Sequence, residues 1–166
     1  MPMKKIILVL LLCIVFSPLK AQYVAGIGAY VSTATPVNSK EFKNQTDFVY
    51  EFSFKAFTQA DKCFDIIGGV GKDYYNFTLL AEVHHPIFYP IDWYIGVGGN
   101  VGLWKQSHWN DGAKHDNTFA GLDGSLGLQC TIFPFSFNIG VRPVYTLYGG
   151  DQLYWLKQVG VRICFR

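Results

Sequence analysis

From Asp92 to Trp104 apolar residues fall at alternate positions: Trp93, Ile95, Val97, Val101 and Leu103 share one parity, and Tyr94, Gly96, Gly98, Asn100 and Gly102 the other. A period of two is that of a strand, whose successive side chains point to opposite faces, and a helix cannot sort these residues in that way. The pattern recurs. Thr118 to Phe133 sets Ala120, Leu122, Leu126, Leu128 and Ile132 against Gly121, Asp123, Ser125, Gly127, Gln129 and Thr131. Phe135 to Tyr145 sets Phe135, Phe137, Ile139 and Val141 against Ser136, Asn138, Gly140 and Arg142. Leu153 to Phe165 sets Leu153, Trp155, Val159, Val161, Ile163 and Phe165 against Gln158, Gly160 and Arg162.

The first half alternates less cleanly. Ala25, Ile27, Ala29 and Val31 share a side within Tyr23 to Ser32; Phe48, Tyr50, Phe52 and Phe54 face away from Glu51, Ser53 and Lys55. Phe64, Ile66 and Val70 oppose Asp65, Gly69 and Gly71, with Ile67 as an exception. Tyr75, Phe77, Leu79, Ala81 and Val83 oppose Asn76, Thr78, Glu82 and His84, with Leu80 as another. Eight strands result, and the expected fold is all-β: a single antiparallel up-and-down barrel that crosses a membrane. The connections at Thr58 to Lys62, His85 to Pro90 and Phe133-Pro134 are short, whereas Thr33 to Asp47 and Lys105 to Asn117 are long and polar. Short turns on the periplasmic side and longer loops outside are the expected disposition of such a barrel, with Lys72-Asp73-Tyr74 as one very short outer loop.

What meets the outer face decides between lipid and water. A soluble, lipocalin-like barrel binding an apolar ligand is the competing architecture, and it would keep apolar residues inside and coat its exterior with Lys and Glu. Only 16% of this chain is charged, against about 25% in ordinary soluble domains. The polar parity is rich in glycine and too sparse in charge for a solvated exterior. It places Glu51, Asp65, Glu82 and Asp123 inside with Lys55, Arg142 and Arg162, the near balance that an enclosed charge network requires. Trp93, Trp155, Phe133, Phe135 and Phe165 sit near strand ends, where rings favour the headgroup zone. Lys157 has outward parity, but near the outer boundary it costs only about 0–1 kcal/mol.

Residues 1–21 read as a cleaved secretory signal, leaving 22–166 as the barrel domain. Lys4 and Lys5 precede an apolar stretch from Ile6 to Phe16, and Leu19-Lys20-Ala21 ends in a small residue. The apolar stretch is too short for a spanning helix, which needs roughly 20 residues. Cleavage removes three lysines and no acid, so the formal charge of +2 becomes −1, and no nucleic-acid partner is expected. Cys13 leaves with the leader; Cys63, Cys130 and Cys164 form an odd set whose spacing fits no zinc pattern or disulfide framework.

Gln158-Val159-Gly160-Val161-Arg162-Ile163-Cys164-Phe165 resembles the terminal assembly signal of outer-membrane barrels, carried by Gln158, Gly160, Ile163 and Phe165, although Ile163 replaces an aromatic and Arg166 follows the Phe. Trp93 to Arg166 is similar in pattern to small bacterial outer-membrane barrels of the OmpA/OmpX-like kind. The resemblance implies residence in the outer membrane, outer-membrane lipid as the surrounding partner, and insertion by the barrel assembly machinery. That family is functionally mixed, and it implies no activity.

No cofactor or metal site is assigned from sequence. His108, Asp111, His115 and Asp116 share a long outer loop with Trp109, next to Trp104; imidazole and carboxylate suit zinc-like ions, but the spacing is that of no defined motif, and the loop is taken as hydrated. Ser107 and His108 are adjacent, yet no acid is fixed beside them, so a lipid-modifying enzyme is disfavoured. Eight strands enclose a space that side chains fill, so a large solute pore is not expected. Inward Gly96, Gly98, Gly121, Gly127, Gly140 and Gly160 are expected to leave some room. The expected role is structural or one of surface interaction, with any ligand met by the outer loops.

Overall fold

The computed structural model describes residues 24–36, 47–72, 74–104, 118–148 and 153–166. They form β1 (Ala25–Pro36), β2 (Asp47–Phe57), β3 (Lys62–Val70), β4 (Tyr74–Phe88), β5 (Ile91–Trp104), β6 (Thr118–Ile132), β7 (Phe135–Tyr148) and β8 (Leu153–Phe165). Each strand pairs antiparallel with the next, and β8 pairs with β1 to close the barrel. The closing register runs from Ala25 opposite Phe165 to Pro36 opposite Tyr154, and the Val24 N–H donates to the Phe165 carbonyl at 2.9 Å. This is the all-β, eight-stranded architecture that the alternation predicts. The leader and the residues of the long connections, including Ser107, His108, Trp109, Asp111, His115 and Asp116, lie outside the described residues.

Alternation of side chains is carried directly into burial. Along β3, exposed and buried residues take turns without a break from Lys62 to Val70. Ile67 and Leu80, the two exceptions in the sequence, do not break the period. Both point inward and are fully enclosed, so the irregularity is an apolar residue at an inner position. The outer wall carries Phe52, Phe54, Leu79, Val97, Leu126, Ile139 and Val161, all exposed, while Ser53, Glu82, Asp123, Asn138 and Arg162 behind them are buried.

Several strands run further than alternation suggests. β1 continues to Pro36 and β7 to Tyr148. His84 and His85, placed at a strand end by the sequence, lie within β4, which continues to Phe88. Beyond Val83 that strand has no further β3 partner in register; the His84 N–H donates to the Asp61 carbonyl at 2.7 Å, and β5 continues alongside, with His85 facing Trp93 and their rings stacked 5.0 Å apart. The register shifts once at Pro86/Phe88 and once at Ala120/Gly121, each accommodating one extra residue.

Two aromatic belts mark the ends of the outer face. Tyr50, Tyr75, Tyr145, Tyr148 and Trp155 circle the end from which the long connections leave, here the loop end. Phe88, Tyr89, Phe133, Phe135 and Phe165 circle the opposite, turn end. Between them β5 runs from Trp93 to Leu103, matching the 9–11 residues with which a tilted strand crosses about 30 Å of hydrocarbon.

Candidate functional site

The barrel interior holds the buried charged side chains of the described residues, and they are layered along the axis. Because inward positions recur every second residue, neighbouring strands place their inner side chains on shared levels, and closure brings together residues far apart in sequence.

At mid-height Arg142 of β7 spans the lumen. Its Nη1 donates to Glu51 Oε1 of β2 at 2.8 Å and its Nη2 to Asp123 Oδ2 of β6 at 3.1 Å. Both carboxylates take further donors: Ser32 Oγ at 2.5 Å on Glu51, Thr78 Oγ1 at 3.2 Å on Asp123, and the Asn100 side-chain amide also on Asp123. The guanidinium is fully enclosed and both acids nearly so, so each charge is desolvated, and the two carboxylates share one guanidinium with neutral donors completing their bonds.

Nearer the turn end lies a second cluster. Arg162 Nη2 donates to Asp65 Oδ2 at 3.0 Å, Ser53 Oγ at 2.8 Å and the Tyr30 hydroxyl at 2.5 Å. Lys55 Nζ donates to Glu82 Oε2 at 2.5 Å and stands 3.5 Å from Asp65 Oδ2. Its ammonium also lies 4.8 Å over the Tyr94 ring. Ser125 Oγ donates to the other Glu82 oxygen at 2.8 Å. The seven inward charges named from sequence therefore all lie in the lumen, in two groups: Glu51, Asp123 and Arg142 in one, Lys55, Asp65, Glu82 and Arg162 in the other. Of the terminal-strand residues, Gln158 points inward and is buried, Gly160 is half-buried, and Ile163 and Phe165 face outward.

Two features escape the sequence reading. At the loop end the inner parity turns apolar: Val49, Tyr74, Phe119, Val144 and Leu156 pack together with Ala34 and Tyr154 against them. Tyr74 and Phe119 meet edge-on, with centroids 6.0 Å apart. Alternation held the signal, since these residues share the parity of Glu51, Thr78, Asp123 and Arg142. Second, the inward glycines do not leave room. A methyl group on Gly140 would stand 2.6 Å from the Tyr94 hydroxyl, and one on Gly160 would overlap the Tyr30 ring. The missing side chains are the space into which the two tyrosines fold.

The turn-end cluster contains a third set that no spacing motif announces. Cys63 of β3 stands opposite Glu82 of β4 in register, and His84 follows two residues later on the same inner face. Cys63 Sγ lies 3.8 Å from Glu82 Oε2, which lies 3.4 Å from His84 Nε2. Lys55 Nζ is 3.4 Å from that same ring nitrogen.

No protein-family model matches the chain. A protein of Escherichia coli O157:H7 named "Probable outer membrane usher protein LpfC'" is 27% identical over 103 residues, a match covering 60% of this chain and 21% of that one. The chain thus spans 21% of the length of this curated relative. Among solved structures, the N-terminal β-barrel domain of Pseudomonas aeruginosa OprF aligns with a TM-score of 0.63 at 16% identity, covering 87% of this chain and 100% of that one. Neisserial surface protein A (NspA) aligns with a TM-score of 0.62 at 16% identity, covering 86% of this chain and 97% of that one. A structure described as de novo design of transmembrane β-barrels aligns at 0.54 with 9% identity, covering 86% and 98% respectively. At these identities the likeness is one of fold: the chain has the fold of small eight-stranded outer-membrane β-barrels.

Proposed function

We propose that this chain is an integral outer-membrane barrel, exported by a cleaved leader at residues 1–21, whose role is structural or is exercised by the connections at its loop end. The observation that carries this reading is the inverted wall. Large apolar side chains are exposed along every strand, whereas Lys55, Arg142 and Arg162 are fully enclosed. In water such an exterior is an aggregation surface far beyond the few hundred Å² of contiguous apolar patch a soluble monomer shows. In a bilayer it is the required one. A soluble barrel with an apolar ligand inside would need the opposite arrangement.

The interior charges act in this reading as struts between opposite walls, with no catalytic part. With the Arg142 bridges at mid-height and the apolar tier at the loop end, the lumen is filled and supports no large solute pore. Gln158, Gly160, Ile163 and Phe165 would present the last strand to the barrel assembly machinery. Outer-membrane lipid is the surrounding partner, and any surface ligand would meet the loops.

Fractionation together with a photoactivated lipid-phase label tests the reading. The chain should need detergent for release, and the label should reach Leu126, Ile139 and Val161 but spare Ser125, Asn138 and Arg162. Recovery of a folded monomer in detergent-free buffer would refute it.

A further inference from the structure

We propose that Cys63, Glu82 and His84 form a binding site for a borderline divalent cation of the zinc kind, inside the barrel near its turn end, where the ion competes with the ammonium of Lys55. The donor set is a thiol, a carboxylate and an imidazole, which together suit zinc better than they suit the hard cations that prefer oxygen alone. Geometry supports the same choice. Zinc bonds of about 2.0–2.3 Å at tetrahedral angles put neighbouring donor atoms roughly 3.4–3.6 Å apart. Here the carboxylate-to-imidazole edge is 3.4 Å and the thiol-to-carboxylate edge 3.8 Å, and all three donor atoms lie within 4.8 Å of one another. Two edges of one triangular face of a coordination tetrahedron are therefore near the required length, set by two adjacent strands in fixed register.

The position of Lys55 is a second, independent pointer. Its Nζ lies 2.5 Å from Glu82 Oε2 and 3.4 Å from His84 Nε2, so donor atoms of this set already converge on a cation. The ammonium is the resident cation and an ion is its rival. Lysine has a route of withdrawal, because Asp65 and the Tyr94 ring border it on other sides. His84 is not anchored through its other nitrogen: Nδ1 is buried without a hydrogen-bond partner among the described residues. The ring is instead held by packing, stacked on Tyr94 with centroids 5.3 Å apart and edge-on to Phe57 at 5.0 Å, which keeps Nε2 directed at Glu82. Ion binding displaces the thiol proton to solvent and leaves Cys63 as the thiolate ligand. Arg162 and Lys55 remain the nearby cations, and Asp65, already bonded to Arg162 and Ser53, stays within 3.5 Å of Lys55, so the ammonium is the group that tunes the site.

The folded barrel, purified in detergent micelles and stripped with a chelator, is titrated with Zn²⁺ against a chromophoric chelator and separately with Co²⁺. One ion per chain is expected, and Co²⁺ should bring a thiolate charge-transfer band and the visible absorption of a tetrahedral centre. Cys63→Ser should abolish that band and weaken binding by about tenfold or more, and His84→Ala should weaken it likewise, since even indirect supporters of metal sites cost 10–100-fold. Cys130→Ser and Cys164→Ser should change nothing. Lys55→Met should tighten binding by about tenfold or more, because it removes a like charge from the ion's side in a desolvated site. Fold retention is checked for every variant by migration of unheated samples in gels. The proposal fails if the unaltered chain binds no stoichiometric Zn²⁺. It fails equally if bound Co²⁺ lacks the thiolate band, which needs no variant to observe. Binding that survives both Cys63→Ser and His84→Ala while falling with His108→Ala would move the site to the outer loop and overturn the assignment.

Discussion

Arg142→Met removes the central strut and keeps most of its volume. The guanidinium is completely enclosed and bonds at 2.8 Å to Glu51 and 3.1 Å to Asp123. Charge centres about 4 Å apart interact by roughly 4 kcal/mol at an effective dielectric near 20, a gross value from which desolvation must be subtracted. Removing one partner of a buried pair leaves the other charge stranded and costs about 3–5 kcal/mol. Two carboxylates are stranded here, partly relieved by Ser32, Thr78 and Asn100, so the expected loss is about 3–5 kcal/mol. Urea unfolding of the barrel in lipid vesicles, followed by tryptophan fluorescence, measures it. The triple variant Arg142→Met, Glu51→Gln, Asp123→Asn removes all three charges. It should recover more than half of that loss, because fully neutralised buried clusters are often as stable as ionic ones. Lys157→Met, on the exposed wall, should change stability by about 0–1 kcal/mol. A loss below about 1 kcal/mol for Arg142→Met, or a triple variant as unstable as the single one, would refute the strut model, since in neither case would stranded charge be the cause.

Face assignment predicts that Leu126→Arg, on the exposed wall, blocks membrane assembly or costs about 2–4 kcal/mol, whereas Ser125→Ala gives up one hydrogen bond to Glu82 worth about 1 kcal/mol; equal tolerance in an assembly assay would contradict it. Gly160→Ala drives a methyl group into the Tyr30 ring and should cost about 1–3 kcal/mol in urea unfolding. Gly68→Ala meets nothing within 4 Å and should fall within about 0.5 kcal/mol of the parent by the same measurement. Phe119→Ala should destabilise by about 3–5 kcal/mol and, in planar bilayers, raise water and ion leakage above the parent; unchanged stability would mean that the apolar tier bears no structural load.

Strand identity and facing were legible because lipid and lumen impose opposite demands on alternate residues. Leu126 and Ser125 could be assigned to opposite walls from their neighbours alone. Which charges meet was not legible. Glu51 and Arg142 come into contact across 91 residues of sequence, and the contact depends on strand tilt and stagger, which alternation does not encode. The same gap hid the thiol, carboxylate and imidazole at the turn end: Glu82 and His84 show their shared face as an i, i+2 pair, but Cys63 joins them only through the β3–β4 register. The inward facing of Val49, Phe119 and Leu156 is hidden for another reason. Apolar character marks the outer wall along most of each strand, but inner parity near the loop end is apolar too. The inward glycines look like vacancy in sequence because the tyrosines that fill the gap come from other strands, Tyr30 against Gly160 and Tyr94 against Gly140.

The seam between β1 and β8 has a consequence for synthesis. The first strand in chain order finds its second neighbour only in the last one, so no nascent fragment, however long, can seal itself. A chain cut short before Leu153 would not be a slightly weaker cylinder. It would be an open ribbon with two unsatisfied margins, each a row of bare amides and carbonyls that hydrocarbon does not tolerate. Arrival of β8 thus becomes a physical checkpoint: the cylinder closes only once that strand is available, and the interval before it arrives is when the unclosed polypeptide needs protection from other copies of itself.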